Sequence, residues 1–454
     1  MTDRTHPTPP RTAPPQTALA DRQGPRPLGL HLTTQALMTL SWPVGLSAWN
    51  SGSPCSKPPS ADCSPGPDPT GPAAPDPPAF AAVLAEARAA GIDPVRFAAA
   101  VDAEARRRLG GFLDGVTAYR AHPGRREGLD PPAVWARGSA RLQDFADTPD
   151  DPARRDRARD GPPVLLVPSL VNRGTILNLT RRRGFARYLA WRGLRPFLME
   201  WGAPGPDEEG FGITEYVADR LEPAFAHVRA ETGRRPLVLG YCMGGLLALA
   251  LAQRQPEAVA GLALLATPWD FHASEEAEAQ GRLARGLAPW IEAVLATRDT
   301  LPVDVLQAAF ACLDPAGLGR KFRVFGRLPG RGAAARHFVA VEDWVNDGVP
   351  LAARVATETL VGWYRDNTPG QGRWTVDGQR IRPDSLSVPA YVVIPAHDRI
   401  VPAASARALA RALPGAVVSE PPLGHVGMIV GRAAVARVHD PLVRWALRTA
   451  RATT

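Results

Sequence analysis

Short apolar runs alternate with helix-like stretches through the second half of this chain. Five runs are rich in aliphatic and β-branched residues and have the length of a buried strand: residues 163–168, 195–200, 236–241, 260–267 and 388–395. The stretches between them, as at 213–231, space their apolar residues as a helix does. Beyond the last run, a helix is predicted at 405–413 and a short strand near 416–419. Strands that alternate with helices predict an α/β fold, a mostly parallel sheet covered by helices.

The alternation is interrupted between residues 271 and 385. This stretch is mostly helical in pattern and contains Trp344, Trp363 and Trp374. Because sheet strands are predicted on either side of it, we expect a helical cap inserted into one catalytic domain. That domain is predicted to span residues 161–454, with the cap at about 271–385.

The first 79 residues are poor material for a core. They hold 18 of the 48 prolines, and such a segment buries too little apolar surface to offset the entropy of ordering. A partly disordered N-terminal extension is therefore predicted over residues 1–79. One apolar island interrupts it at residues 28–49. It is interpreted either as a short helix docked on the main domain or as an apolar surface anchor.

Residues 80–160 follow a helical pattern. The pair Asp93-Pro94 is a helix start signal, because proline suits the first turn of a helix. Two or three helices are predicted here, followed by a charged loop from Asp147 to Asp160. We therefore expect a helical N-terminal region ahead of the catalytic domain.

The chain is basic, but its composition does not indicate nucleic-acid binding. The formal net charge is +8, and lysine occurs only at Lys57 and Lys321, so 51 of the 53 basic residues are arginine. No basic helix with interleaved aromatic residues is found. The abundance of Ala, Pro, Gly and Arg is instead typical of a protein encoded by a GC-rich genome.

Four cysteines spread over 454 residues do not form the pattern of a disulfide framework. Cys55 and Cys63 have no histidine partners nearby, so neither a metal site nor a cofactor is predicted. No run of 18 apolar residues occurs, and the N-terminus lacks the apolar segment of a signal peptide. We therefore expect a cytoplasmic protein without a transmembrane segment.

A strand, a sharp turn and a helix are predicted in series around residues 236–253. The turn reads Gly240-Tyr-Cys-Met-Gly-Gly245, which is the pattern of a nucleophile elbow with Cys242 in place of the usual serine. Glycine is expected two residues before and two residues after the cysteine, because a side chain at either position would collide with the neighbouring strand and helix. The helix N-terminus favours a thiolate at the sulfur. The alternative is a small buried cysteine on a tightly packed helix.

Asp398 and His425 complete a catalytic constellation. The chain order nucleophile, acid, histidine is that of α/β-hydrolases. Asp398 follows one predicted strand and His425 follows the next, so both should reach the edge of the sheet where Cys242 lies. His425 would take the proton of Cys242, and Asp398 would orient the imidazole. Other acids and histidines lack this context: Asp384, Asp440, His227, His272 and His397.

The chain resembles a known family at six places in series. These are Leu170-Val171-Asn172-Arg173, Trp201-Gly202, the cysteine turn at 240–245, Thr267 to His272, Asp398 to Pro402, and Gly424-His425. Together they are similar to the polyhydroxyalkanoate synthase (poly-3-hydroxybutyrate synthase) family of the α/β-hydrolase superfamily, most of all to the catalytic subunit of the two-subunit, class III type. The resemblance covers roughly residues 163–447. Arg399 and Ala403 stand where many members have His and Trp.

This resemblance implies the α/β-hydrolase fold and an acyltransferase that polymerises (R)-3-hydroxyacyl-CoA with release of CoA. Cys242 would be the nucleophile of a Cys-His-Asp triad with His425 and Asp398, and the backbone N–H groups of Met243 and Val171 would form the oxyanion hole. His425 or Asp398 would deprotonate the hydroxyl of the next unit. The implied partners are the surface of the nascent polyester granule and an accessory synthase subunit or a second copy of the chain.

Two other interpretations remain open. A Cys-dependent hydrolase, either a thioesterase or an intracellular polyhydroxyalkanoate depolymerase, would share the triad and differ only in what attacks the acyl-enzyme. A granule-associated binding protein with a decayed site would lack catalysis altogether, although an intact triad argues against it. A long cap that excludes water would favour the synthase over the hydrolase.

Overall fold

A computed structural model describes residues 22, 24–40, 83, 85–87, 89–126, 130–182, 184–330 and 332–452. The strands of its main sheet are Ala133–Arg137 (β1), Ala140–Asp144 (β2), Pro163–Val167 (β3), Arg195–Glu200 (β4), Leu237–Tyr241 (β5), Gly261–Leu265 (β6), Ala390–Val393 (β11) and Val417–Ser419 (β12). Between β6 and β11 lie four short strands that form two ribbons: Thr300–Leu301 (β7) with Leu351–Ala352 (β8), and Thr375–Val376 (β9) with Gln379–Arg380 (β10).

The main sheet has eight strands in the order β1-β2-β4-β3-β5-β6-β11-β12. Neighbouring strands from β4 to β12 run parallel, whereas β2 pairs antiparallel with β4, and β1 with β2. A mostly parallel sheet, covered by helices, confirms the predicted α/β-hydrolase fold class. Because the strands are parallel, their carboxyl ends meet at one edge, where loops can carry a site.

Helices connect and cover these strands. The α-helices are Leu28–Leu40 (α1), Pro94–Ala121 (α2), Pro152–Arg159 (α3), Phe185–Trp191 (α4), Ile213–Glu215 (α5), Glu222–Thr232 (α6), Met243–Arg254 (α7), Glu275–Leu295 (α8), Val303–Leu313 (α9), Pro315–Phe325 (α10), Ala333–Asn346 (α11), Ala353–Thr357 (α12), Ala403–Ala412 (α13), Gly427–Val430 (α14) and Asp440–Ala452 (α15). Single turns of 3₁₀-helix occur at Gly174–Asn178 and Pro383–Ser385, and π-helical turns at Tyr216–Leu221, Glu358–Arg365 and Val435–His439. Across the parts of the chain described, no helix is both long and apolar enough to cross a membrane.

The burial of strand β3 on both faces shows why the central strands could be predicted from apolar runs in the sequence. Val164 and Leu166 pack into the core on one face, whereas Leu165 and Val167 pack into the core on the other. Successive side chains of a strand point to opposite faces, so a strand covered on both sides must be apolar at every position. The strands β4, β5, β6 and β11 follow the same rule and lie where the sequence predicts them.

The prediction of a purely helical region over residues 80–160 is wrong in its second half. Helix α2 is present, with Asp93 accepting a hydrogen bond from the Val95 N–H at its start. Residues 133–144, however, form the hairpin of β1 and β2, which extends the main sheet beyond β4. The predicted loop at 147–160 contains helix α3. The sheet of the catalytic domain therefore begins before residue 161.

The cap occupies the stretch between β6 and β11. Helices α8 to α12 and the two ribbons lie there, as the helical pattern of residues 271–385 predicts. Helix α10 packs against α2 through an aromatic cluster in which Phe322 contacts Phe112 and Tyr119 edge to face. The N-terminal region is thus attached to the cap by this cluster.

Helix α1 docks on the same two elements, which favours the docked interpretation of the apolar island for residues 28–40. Leu28 and Leu32 pack against the aromatic cluster of α2 and α10. Arg22, just ahead of the helix, pairs with Asp343 of α11 at 2.7 Å and donates to the carbonyls of His122 and Gly124. Residues 41–49 of the island, and most of the extension over 1–79, lie outside the described residues.

Truncation tests this docking. Deletion of residues 1–21, which are poor in apolar side chains, should leave the melting temperature unchanged. Deletion of residues 1–40 removes α1 and leaves the buried carboxylate of Asp343 without Arg22, and it should lower the free energy of unfolding by roughly 2–4 kcal/mol. Denaturant unfolding of both truncated proteins measures the difference. Equal stability of the two would contradict the docking of α1.

Candidate active site

Cys242 lies between β5 and α7 in a conformation that few residues adopt. Its backbone has φ 56° and ψ −129°, and Met243 directly after it begins α7. A non-glycine residue at positive φ stores strain, which the surrounding structure must hold in place. Such strain is the mark of a nucleophile elbow, which lifts the sulfur clear of the strand and sets it at the N-terminus of the helix.

Two glycines permit this turn. A Cβ on Gly240 would lie 2.3 Å from the Cα of Gly245 in α7, and a Cβ on Gly244 would lie 2.2 Å from the carbonyl oxygen of Val167 at the end of β3. Both distances are far below van der Waals contact. The glycines on either side of Cys242 therefore let the helix approach the sheet closely, as the sequence predicts.

The structure brings Asp398 and His425 together. His425 Nδ1 lies 2.7 Å from Asp398 Oδ2, and the side chains are 7% and 0% exposed. The second oxygen of Asp398 accepts hydrogen bonds from the N–H groups of Ile400 and Val401, at 2.8 and 2.9 Å. Both carboxylate oxygens are thus occupied, and the imidazole is fixed in orientation. The catalytic roles of these residues remain predictions.

His425 is held in its charged form. Burial lowers the pKa of His425, but the charges of Asp398 and Cys242, with hydrogen bonds to both side chains, outweigh it and raise the pKa to about 10. An imidazolium between a carboxylate and a sulfur is the arrangement in which a histidine has accepted the proton of a cysteine. The pair is therefore suited to present Cys242 as a nucleophilic thiolate.

The raised pKa of His425 predicts how the free energy of unfolding changes with pH, and unfolding experiments can test this. Since the folded-state pKa of His425 lies above the ordinary value of 6.5, the stability that its charge provides is complete below pH 6.5 and is lost as the pH rises toward 10. The free energy of unfolding, measured relative to the His425→Gln variant, should fall across that window. A difference between the two proteins that does not change from pH 6 to pH 10 would contradict the charged pair.

The rival residues have other partners. Asp384 is an exposed partner of Arg382 at 2.7 Å, and Asp440 contacts Tyr188 and Arg192. His272 hydrogen-bonds the carbonyl of Tyr364 at 3.1 Å. His227 differs from these residues, because its Nε2 is buried and has no hydrogen-bond partner among the described residues.

The residues predicted for the oxyanion hole lie at the two walls of the turn. Met243 is the first residue of α7, where N–H groups have no partner within the helix. The N–H of Val171 donates to Ser169 Oγ at 3.2 Å, so an acyl oxygen would have to replace that hydroxyl. The oxyanion hole therefore remains a prediction for both residues.

The cap holds the loop that carries Val171. The N–H of Val349 donates to the carbonyl of Val171 at 3.3 Å, and Asn172 forms a β-bridge with Gly348. Arg173, the next residue of the loop, pairs with Asp347 at 2.8 Å. A strip of cap residues, 347–349, thus runs beside one predicted wall of the oxyanion hole. Nothing in the sequence pattern indicated this contact.

Sequence reasoning missed two tyrosines beside the triad. The hydroxyl of Tyr241 donates to the carbonyl of His425 at 3.3 Å. Tyr364 of the cap packs against the same core cluster as Cys242, and burial raises the pKa of its hydroxyl. Tyr241 could have been found as the neighbour of Cys242 in the turn, whereas Tyr364 carries no sequence signal.

Arg399, the residue after Asp398, connects the loop of Asp398 to the cap. It pairs with Asp314 between α9 and α10 at 2.7 Å, and its side chain is exposed. An exposed ion pair of this kind contributes only about 0–1 kcal/mol. The geometry of the neighbouring Asp398 is therefore set by the buried hydrogen bonds described above and not by Arg399.

Comparison with known proteins identifies related sequences. The model of the α/β hydrolase fold family matches residues 162–294. The poly(3-hydroxyalkanoate) polymerase subunit PhaC of Haloferax mediterranei is 26% identical, over 59% of this chain and 55% of its own length. The PhaC subunit of Haloarcula marismortui is 25% identical, over 64% of this chain and 62% of its own length. The subunit of Allochromatium vinosum is 24% identical over 64% of this chain and 84% of its own length. The match thus spans somewhat more than half of the first two relatives.

The solved structures to which this chain is similar are more distant in sequence. One solved structure comes from a study of carboxylesterases of Nitrososphaera gargenis. It is 12% identical to this chain, the match covers 71% of this chain and 100% of the solved one, and the TM-score is 0.44. A thioesterase domain from the curacin biosynthetic pathway is 14% identical; the match covers 68% of this chain and 95% of that domain, and the TM-score is 0.40. The assignment of the fold therefore rests on the sheet order and on the family model.

Proposed function

Since this chain belongs to the α/β-hydrolase superfamily and is a relative of the poly(3-hydroxyalkanoate) polymerases, we propose that it is an acyltransferase that polymerises (R)-3-hydroxyacyl-CoA. The observation that carries the proposal is a cysteine, rather than a serine, on the strained turn that faces His425 and Asp398. A thiolate suits this substrate because exchange of one thiol for another at an acyl group is nearly balanced in free energy. The enzyme-bound thioester therefore stays activated for transfer.

The first half of the reaction loads the enzyme. The thiolate of Cys242 attacks the carbonyl carbon of the acyl-CoA, and the N–H groups of Met243 and Val171 stabilise the oxyanion. The bond from carbon to the sulfur of CoA then breaks, and His425 gives its proton to the departing thiolate. CoA is thus part of the substrate, and the proposal requires no further cofactor.

The second half transfers the acyl group to a hydroxyl. The 3-hydroxyl oxygen of another 3-hydroxyacyl-CoA attacks the thioester, His425 accepts its proton, and Cys242 departs as a thiolate. The product is an ester that still carries CoA, so it can load Cys242 again and lengthen the chain. Asp398 keeps the imidazole in place throughout, since both its oxygens are engaged.

Exclusion of water separates this polymerase from a hydrolase with the same triad. Residues 347–349 of the cap run beside the loop of Val171, and Tyr364 of the cap packs against the same core cluster as Cys242. A covered site disfavours attack by water on the acyl-enzyme. We extend the proposal to the setting of the enzyme, namely the cytoplasmic surface of a polyester granule, with an accessory synthase subunit or a second copy as partner.

Incubation of the purified protein with (R)-3-hydroxybutyryl-CoA tests the proposal. Free CoA should appear together with insoluble polyester, because each transfer releases one CoA and adds one unit. Release of CoA with an equal amount of free 3-hydroxybutyrate would instead identify a thioesterase. Degradation of added polyester without consumption of acyl-CoA would identify a depolymerase, and both outcomes would overturn the polymerase assignment.

A further inference from the structure

A basic cavity opens beside the cap, away from the triad. It has a volume of about 470 Å³ and lies between the end of α2, the residues that follow the 3₁₀-turn at Gly174–Asn178, and the first turns of α11. Its basic lining residues are Arg125, Arg126, Arg181, Arg182, Arg336 and His337. Asp343 is the one carboxylate among the described lining residues.

Three carboxylates lie in or near the cavity. Asp343 pairs with Arg22 at 2.7 Å and accepts from the hydroxyl of Tyr119 at 2.8 Å. Asp130 holds two nitrogens of Arg126, each at 2.6 Å, which fixes that guanidinium as part of the wall. Asp150 approaches Arg181 no closer than 3.9 Å, and both side chains are mostly exposed. Among the described residues, positive charge is therefore in excess around the cavity.

The N-terminus of helix α11 also favours an anion here. Its first residue, Ala333, lines the cavity. The N-terminus of a 14-residue helix adds unpaired N–H groups and a positive dipole end.

Helix α11 connects this cavity to the loop beside the nucleophile. Residues 336 to 346 of the helix span about 15 Å at 1.5 Å per residue. At its end, Asp347 pairs with Arg173 and Gly348 pairs with Asn172, next to Val171. The pantetheine arm of CoA separates its thiol from its phosphates by a comparable length. A CoA thioester could therefore have its acyl group at Cys242 and its phosphates in the cavity.

We propose that the cavity between α2, the loop at 179–182 and α11 binds the phosphate groups of the CoA part of the substrate. The proposal rests on the proposed function, because it assumes an acyl-CoA. It assigns Arg181 and Arg182, whose side chains are exposed at the mouth of the cavity, to charge-assisted hydrogen bonds with phosphate oxygens. Arg336 faces them from α11.

A second arginine cluster provides a matched control. Arg107, Arg108, Arg320, Arg323 and Arg327 line another cavity between α2 and α10. None of the contacts described for the loop at 169–173 involves these arginines, and Glu104 already pairs with Arg107 and Arg108. Substitution of Arg320 and Arg327, both exposed, removes the same charge as substitution of Arg181 and Arg182.

Direct binding of CoA to the full chain tests the site without the need for turnover. The Arg181→Ser/Arg182→Ser variant should bind CoA at least about tenfold more weakly than wild type in calorimetry, whereas Arg320→Ser/Arg327→Ser should bind within about twofold. Pantetheine, which lacks phosphates, should bind all three proteins alike. Unchanged CoA affinity in the first variant, or equal losses in both, would overturn the proposal. Stronger competition by inorganic phosphate than by adenosine 3′,5′-bisphosphate would show a general phosphate site and overturn it too.

Kinetics separate failure of this site from failure of the proposed function. With 3-hydroxybutyryl-CoA, the Arg181→Ser/Arg182→Ser variant should have a KM raised at least about tenfold and an unchanged kcat. With the N-acetylcysteamine thioester, which has no phosphates, variant and wild type should be equal. A fall in kcat on both substrates would assign these arginines a structural role instead. Absence of turnover on either substrate in wild type would refute the polymerase while leaving the binding result valid.

Discussion

Replacement of Cys242 by alanine is expected to abolish turnover while the fold stays intact. In the proposed mechanism this sulfur forms the acyl-enzyme, so the loss in kcat should be at least about 10⁴-fold, leaving only what substrate binding and the proposed oxyanion hole supply. The fold should survive because alanine is smaller than cysteine and fits the same backbone, where Cys242 is only partly buried. Release of CoA and circular dichroism measure the two properties.

The Cys242→Ser variant tests whether the acidity of the thiol is required. A hydroxyl is a far weaker acid than a thiol, so His425 would have to deprotonate it at the moment of attack, and the loss should still exceed about 10³-fold. Cys312, a free and exposed cysteine on α9, provides the control, since Cys312→Ala should retain full activity. Substantial activity in Cys242→Ala would refute the covalent mechanism.

The Asp398→Asn variant should lose loading and chain growth together, each by about 10³–10⁴-fold. One oxygen of Asp398 contacts His425 Nδ1, and the other accepts two backbone N–H groups in a fully buried setting. Because the carboxylate is shielded from solvent, we expect it to act through the histidine and not directly on a substrate hydroxyl. An asparagine in its place disturbs the imidazole in both half-reactions.

Butyryl-CoA distinguishes the two half-reactions, because it lacks the 3-hydroxyl and can only load the enzyme. Intact-protein mass measures its transfer to Cys242, and CoA release from 3-hydroxybutyryl-CoA measures growth. The exposed Asp384, paired with Arg382, is the matched control, and Asp384→Asn should behave as wild type. Normal loading in Asp398→Asn with failed growth would instead show that Asp398 activates the incoming hydroxyl.

The central strands and the turn were open to prediction because local sequence carries their physics. Strands β3, β4, β5, β6 and β11 are covered on both faces, and only continuous apolar runs satisfy that setting. Gly240 and Gly244 are required because an added Cβ would lie less than 2.5 Å from a backbone atom. The cysteine turn is therefore recognisable from two glycines and a cysteine at fixed spacing. Asp398 and His425 follow strand ends, where parallel topology directs side chains to one edge.

The hairpin of β1 and β2 escaped prediction because it lacks such a pattern. The residues of β1 are exposed except for a half-buried Trp135, so no apolar alternation distinguishes it from a loop or a helix. Its pairing partner for the sheet, β4, lies more than 50 residues away along the chain. Strand character there results from hydrogen bonds with that neighbour.

By itself, the sequence determined the parallel strands of the sheet, the elbow and the choice of candidate triad residues, since each depends on burial or backbone sterics that are visible in residue types at short spacing. Only the tertiary structure decided which surfaces meet. The docking of α1 on the cap, the pairing of Gly348 with Asn172 beside the nucleophile, and the convergence of arginines on one cavity all join segments far apart in the chain. Such contacts depend on the shape of the folded molecule, and no local pattern of residues specifies them.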